Sequence, residues 1–552
     1  MDDRRIAARL KELETQNREL KAQLSQIVQS RSWRLTAPLR SASRLWPEFY
    51  GRKEARGNPQ PELPDRETEQ AHFIRTMGRF DESFYPGVQE AHESGLDPIK
   101  HYLSVGEARG YAPTPDFDPI YYGERHPDVA ATGGNRFLHY LRYGIDQDRQ
   151  ALPVDTRIAF PKEGLTGRGR VLIMVHDASR TGAPILAWNL VRKLQERHDV
   201  IVLLRRGGEL VPAFEQAASV VIRWPEKVEE HPVDIRRLVQ KLVAIYCPSY
   251  AIANSAETRL YVRDFEDQGV PVVALVHEFA EYTRPGGTLD QLYTAASAIV
   301  FPADIVAQSS YDEYPVLYGR EVHIIPQGPT QIPKFSRGLA DEVQNMALLR
   351  DENRFLVVGI GAVHFRKGTD LFITVAGGVR QIVGDRAAFL WVGHGYDPDN
   401  DIAYSAYLRD QANRFDLASS FQVSPPVDNV EPIYSRADLF LLSSRLDPLP
   451  NVAIDAALRG VPVICFDQAS GIAELMKARE ETRDLVVPYL DCKAAARAIS
   501  DLILDRERLR QHSNDIRAFA EAAFDMDRYI EGIDSIGRRL STSVTARDAL
   551  GP

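Results

Sequence analysis

Two aspartates eight residues apart, Asp447 and Asp455, stand in the stretch SSRLDPLPNVAIDAALRGVPVICFD. The first follows an apolar run and the second falls on a helix predicted to begin near Pro450, so the order is strand, carboxylate, loop, helix, carboxylate. In the loop between them, proline donates no hydrogen bond, which leaves Leu449, Asn451 and Val452 as the backbone donors at a helix start, a place suited to an anion. Upstream, GAVHFRKGTDLFI sets Gly361, Arg366, Lys367 and Gly368 at a strand-to-helix turn. An adjacent guanidinium and ammonium stabilise an anion whose charge grows as a bond breaks, a task that a metal otherwise performs. An Arg-Lys-Gly tripeptide alone is commonly a solvated helix start; with the acid pair following in this order, phosphate binding is the stronger reading. In the first half of the chain, VLIMVH runs into Asp177 to Pro184, where Gly182 permits close backbone approach and Pro184 suits the first helical turn. His277 and Glu278 end the run PVVALVHE, where a histidine either lines a cleft or is buried core.

These residues need a frame, and the apolar patterning supplies one. From Gly169 the runs VLIMVH, DVIVLL, SVVIRW, AIYCPS (244–249), PVVALVHE, AIVFPA and VHIIPQG alternate with amphipathic stretches. A second series, RFLVVGIG, AFLWVGHG, ADLFLLSS, VPVICFD and DLVVPYLD, follows after about residue 335. Near-continuous Val/Ile/Leu strands separated by helices mean parallel sheets covered on both faces. The expected fold class is α/β: two Rossmann-like, doubly wound domains at 168–335 and 336–524, then a crossover helix and tail at 525–552. Ligands of such sheets lie at the carboxyl ends of the strands, and two facing domains enclose a cleft there.

In this context the second domain resembles glycosyltransferase family 4, whose members carry acid-x7-acid, a small-residue helix end and a G-x-P-V-I strand, here Gly460 to Ile464. The resemblance covers roughly 170–540 and implies a GT-B fold, a nucleoside-diphosphate sugar as donor substrate, no cofactor, no metal, and transfer with retention at the anomeric carbon. By the family's pattern Asp455 would accept from the ribose hydroxyls and Asp447 would face the donor sugar. Leu449, Asn451, Val452, Gly182 and Gly361 would line the donor, Lys367 and Arg366 would hold its diphosphate, and His277 would lie near the transferred sugar. Two departures stand out. Both acids are Asp where the family usually has Glu, and Ala362 occupies the place of an arginine that many members have five residues before the lysine. The stretch FDMDRYIEGIDSIGRRL resembles the family's closing helix, which crosses back to the first domain. A nucleotide-sugar epimerase on the same fold, or a scaffold protein that has lost turnover, are the competing readings.

The remaining sequence bounds partners and place. A formal charge of −10 over 552 residues argues against nucleic acid. Cys247, Cys465 and Cys492 show no metal-ligand spacing, and with no long apolar run and a charged N-terminus a cytoplasmic protein is expected. Ile6, Leu10, Leu13, Asn17, Leu20, Leu24 and Ile27 trace a heptad seam that predicts a coiled coil over 1–30 and a homodimer, the lone Asn pairing across the axis. The competing reading is one helix packed on its own body. Within 31–70, six basic residues interleave with Trp33, Trp46 and other apolar groups before a Pro-rich linker. This suits either an anionic membrane surface, at the inner face of the plasma membrane, or a segment folded on its neighbour. Over 71–155 a unit of about 37 residues is duplicated: FDESFY and HYLSVG recur as FDPIYY and HYLRYG, which reads as a small helical module with a core of repeated aromatics. Similar tandem modules accompany some bacterial polysaccharide glycosyltransferases, so the acceptor is expected to be a glycan, lipid-linked or protein hydroxyl in surface-polysaccharide synthesis. Asp-x-Asp triplets, as at Asp397/Asp399, lie away from strand ends and read as solvated turns.

Overall fold

The computed structural model describes residues 66–333, 346–427 and 429–550. The expected coiled coil and the basic, tryptophan-bearing stretch lie outside the described residues.

Seven parallel strands form the first sheet: β1 (Arg170–Val175), β2 (Asp199–Leu204), β3 (Val220–Arg223), β4 (Tyr250–Asn254), β5 (Val272–Leu275), β6 (Ala298–Phe301) and β7 (Val322–Ile324), in the order β3-β2-β1-β4-β5-β6-β7. Continuous apolar runs are required because both faces are buried: Leu172 and Met174 join one core cluster, while Val171, Ile173 and Val175 join the other. The second sheet has six parallel strands, β8 (Phe355–Ile360), β9 (Ala387–Val392), β10 (Phe421–Ser424), β11 (Leu439–Leu442), β12 (Val463–Phe466) and β13 (Val486–Val487), ordered β10-β9-β8-β11-β12-β13. Strand order reverses between β1 and β4 in one sheet and between β8 and β11 in the other, which places a ligand crevice at each of those strand ends.

Two expectations need correction. The run AIYCPS is not a strand: 244–246 end the helix Pro232–Tyr246, Cys247 turns the chain in the left-handed region, and the strand is the next segment, β4. Tyr246 is buried, Ile245 part-buried and Ala244 exposed, and six residues are too few for periodicity to separate a helix end from a strand. FQVS, now β10, was not among the expected strands because it is an edge strand, only part-buried over its first three residues.

The helix Met526–Leu550 packs on the first domain. Tyr529, Ile530, Ile533 and Ile536 complete the core cluster on one face of the first sheet. Buried Asp534 accepts from Tyr250 Oη at 2.6 Å and lies 2.8 Å from His198 Nε2. Those partners outweigh the burial that would raise its pKa, and hold it below the usual carboxylate range.

The duplicated module consists of short helices, and its copies match in detail. Tyr85 Oη lies 2.8 Å from His101 Nδ1 and Tyr122 Oη 3.1 Å from His139 Nδ1. Gly106 and Gly144 each end a π-helical turn, and a Cβ on either would collide with the hydroxyl of the same tyrosines. The His-Tyr pairs are thus part of each unit's packing. The second copy docks on the helix Pro232–Tyr246 through Asp234, which accepts from Tyr121 Oη at 2.8 Å and Val154 N at 3.1 Å and lies 3.4 Å from Arg125 Nε. Asp234→Ala, which strands a part-buried guanidinium and a buried hydroxyl and N–H together, is expected to cost roughly 3 kcal/mol. Thermal denaturation reads it, and an unchanged melting temperature would show that the docking contributes nothing.

Candidate active site

At the strand-order reversal of the second sheet, Lys367 Nζ is ion-paired and hydrogen-bonded to Asp447 Oδ2. Asp447 follows β11 and is locked in place: its N–H donates to Ala469 O at 2.8 Å, Ser444 Oγ lies 3.1 Å from Oδ2, and Arg366 Nη1 approaches Oδ1 at 3.6 Å. Burial would raise this carboxyl's pKa, yet Lys367 and Arg366 outweigh it and hold it below the ordinary value. Two basic groups therefore meet one buried carboxylate. Arg366 also donates to Leu446 O at 2.9 Å.

Glycines let the turn close around this group. The Lys367 side chain runs over Gly361, whose Cβ position would sit 3.5 Å from Lys367 Cδ. Gly368 has φ +71°, and a Cβ there would fall inside the Ser443 carbonyl oxygen. Behind them Arg445 grips Asp370 through two bonds of 2.8 and 2.7 Å and stacks 3.7 Å over the Phe365 ring. This brace keeps the Phe365–Lys367 turn against the end of β11.

The helix Asn451–Leu458 begins without a side-chain cap. Across the cleft the helix Gly182–Leu194 also begins uncapped, and the Cβ position of Gly182 lies 3.8 Å from Asn451 Nδ2. Two helix N-termini, one from each domain, thus meet at one place, where their partial positive charge favours an anion. Gln327, which follows β7, ties the domains by donating to Leu449 O at 2.9 Å and Asn451 Oδ1 at 3.2 Å. Glu474 accepts from Ile305 N at 2.9 Å, a second tie. Leu449 itself is buried core, so its contribution to this face is backbone; Val452 O accepts from Tyr434 Oη at 2.9 Å.

Asp455 stands apart from the Lys367 group, one turn along its helix. Burial pushes its pKa up to about 6 against the pull of Arg459, whose Nη1 lies 3.7 Å from Oδ1.

His277 and Glu278 follow β5. The His277 ring is part-exposed, but its Nε2 is sealed from solvent without a hydrogen-bond partner, and burial, with His176 beside it, lowers its pKa to about 4. Burial raises Glu278 to about 7 despite N–H donors from Ala256 (3.3 Å) and His277 (2.9 Å). His277 is therefore a neutral imidazole at pH 7. Ser255, at φ +86°, links this group to His176, with Oγ 3.2 Å from Nδ1.

No sequence motif marks Gln327, Ser444, Arg445 or His176. Their position directly after β7, β11 and β1 is the one signal that could have marked them. Among the described residues no group of three or more His, Cys, Asp or Glu is placed to hold a metal. Asp397 instead binds Asn400, Asp399 pairs with Arg409, and no described helix is long and apolar enough to cross a membrane.

Residues 352–505 match the family model "Glycosyl transferases group 1". Among curated relatives, a putative glycosyltransferase YtcC of Bacillus subtilis is 26% identical over 174 residues, 31% of this chain and 42% of the relative. An alpha-galactosylglucosyldiacylglycerol synthase of Streptococcus pneumoniae is 30% identical over 147 residues, 25% of this chain and 37% of the relative. The chain thus spans about two fifths of the length of these curated relatives. The crystal structure of Anabaena Alr3699/HepE in complex with UDP and glucose aligns with TM-score 0.55 at 16% identity, over 67% of this chain and 99% of that one. The two parallel sheets thus give this chain the GT-B fold, and its second domain carries the match to the group 1 glycosyl transferases.

Proposed function

We propose that the chain is a retaining, metal-independent glycosyltransferase that moves a sugar from a nucleoside diphosphate to a hydroxyl of a cell-surface glycan or its lipid-linked precursor. The observation that carries this reading is the Lys367–Asp447–Arg366 cluster at the end of β8 and β11, beside two uncapped helix N-termini. The diphosphate lies on the N–H groups of Asn451 and Val452 with Gly182 opposite, and Lys367 and Arg366 take up the charge that grows as the anomeric C–O bond breaks. The acceptor oxygen attacks on the same face, and its proton passes to the departing phosphate oxygen. Neutral His277, at the end of β5, lies beside the transferred sugar. Asp455 receives the ribose hydroxyls. HepE, crystallised with UDP and glucose, supports a nucleotide-sugar donor, and the glycolipid synthase supports a lipid-linked acceptor. The heptad seam adds a homodimer, read by sedimentation, and the basic stretch a peripheral membrane contact, read by pelleting with anionic liposomes.

The test is nucleotide release from UDP-, GDP- and dTDP-sugars with and without EDTA. Release of one nucleotide that survives EDTA is expected; loss in EDTA would overturn metal independence, and no binding to any donor would overturn the transferase.

Asp455 adds a pH signature. Below about 6 it is protonated and a poorer acceptor, so nucleotide affinity should fall as pH drops through 6. Stability runs the other way. The folded-state pKa lies above the ordinary unfolded value of about 3.9, so the folded chain holds the extra proton and loses stability as pH rises from about 4 to 6. Calorimetric titration from pH 5 to 8 checks the first, and Asp455→Asn should flatten it.

A further inference from the structure

The two copies of the repeat are alike inside and unlike outside. Asp81 and Asp118 occupy equivalent places: each donates its N–H across the unit at 3.0 Å, to Pro113 O and Ala151 O, and each carboxylate caps the turn that follows it. Phe84 is then the counterpart of Tyr121, and Val88 of Arg125. In the second copy this face is covered. Tyr121 is 0% exposed under the helix Pro232–Tyr246, whose Arg237 lies over the Tyr121 ring at 5.3 Å with Nη1 3.6 Å from Asp118. In the first copy the ring stands open, Phe84 being 44% exposed, beside a part-buried Asp81 whose Oδ1 accepts from Ser83 Oγ at 2.6 Å and from Ser83 N and Phe84 N.

We infer that the Asp81–Phe84 face of the first repeat is a docking site for an α-helix of another protein, one that presents an arginine beside an apolar residue. The arginine follows from what both copies keep, a carboxylate next to an aromatic face, which attracts a guanidinium by charge and by its π-cloud. The apolar neighbour follows from what the first copy changes. Asp234 of the internal helix needs the Tyr121 hydroxyl and Arg125; Phe84 and Val88 offer neither, so a carboxylate there would be buried without donors. The same substitutions turn away this chain's own helix Pro232–Tyr246, so the site selects against self-docking.

The full-length chain tests this with two stapled, dye-labelled peptides of residues 232–246, one native and one carrying Asp234→Leu, read by fluorescence anisotropy. The Asp234→Leu peptide should bind with a micromolar Kd and the native peptide about tenfold more weakly or less tightly still. Arg237→Ala in the peptide should cost about tenfold. Phe84→Ser in the chain, at an exposed position, should abolish binding while sugar transfer is unchanged. An Asp234→Leu peptide that fails to bind at millimolar concentration, or binds the Phe84→Ser chain equally, overturns the site. Sedimentation of the unliganded chain and of Phe84→Ser should give the same mass; dissociation of the variant would overturn the partner helix in favour of a second copy.

Discussion

On the proposed transferase reading, Lys367→Ala is expected to lower kcat for glycosyl transfer by roughly a thousandfold while leaving the fold intact, because the lost ammonium would act on charge that appears only as the donor bond breaks. The ammonium does not wait in solvent: Asp447 holds it in the crevice between β8 and β11. Such preorganisation is what makes a fixed cation effective, since no reorientation is needed during the reaction. The fold should survive because Asp447 keeps Ser444 at 3.1 Å and Arg366 at 3.6 Å, so the buried carboxylate is not left alone. Initial rates of nucleotide release measure the effect, with circular dichroism as the check on folding. Unchanged kcat in a folded variant would remove Lys367 from the diphosphate.

Gly368→Ala should act on stability first. Its φ of +71° disfavours a side chain, and the new Cβ would enter the Ser443 carbonyl oxygen at the end of β11, where backbone on both sides resists movement. Left-handed strain of about 1 kcal/mol and overpacking of about 1–3 kcal/mol give a loss of about 2–4 kcal/mol. For a domain of this size that is a fall of about 5–15 °C in melting temperature. Gly269→Ala is the comparison: it closes a helix at φ +74°, yet nothing lies within 4 Å of its Cβ position, so only the strain remains. Equal losses in the two variants would show that the contact with Ser443 is not tight.

Most of the buried strands were legible in the sequence because they are continuous apolar runs, as in Val171 to Val175; β4, fully buried but with Ala251 and Ala253 alternating in it, was not. Legibility failed where burial is partial, at β10, and where the end of a helix is too short to show its period, at 244–246. At the site, Arg366, Lys367 and Asp447 were recognisable as charged groups after strands. That Lys367 and Asp447, 80 residues apart, form one ion pair is a product of topology, because β8 and β11 are neighbours in the sheet. Gln327 and Glu474 escaped because a lone amide or carboxylate reaching across to another domain's backbone has no local spacing to betray it.

The helix Met526–Leu550 also bears on how the chain is made. The first sheet finishes at Ile324, but the apolar face it shares with Tyr529, Ile530, Ile533 and Ile536 is not closed until a segment some two hundred residues later has left the ribosome. At about 5–20 residues per second that interval is on the order of ten to forty seconds. During it the nascent first domain shows a sticky surface that only the chain's own later segment fits, so an mRNA truncated before codon 526 would yield a product marked for chaperones and proteases.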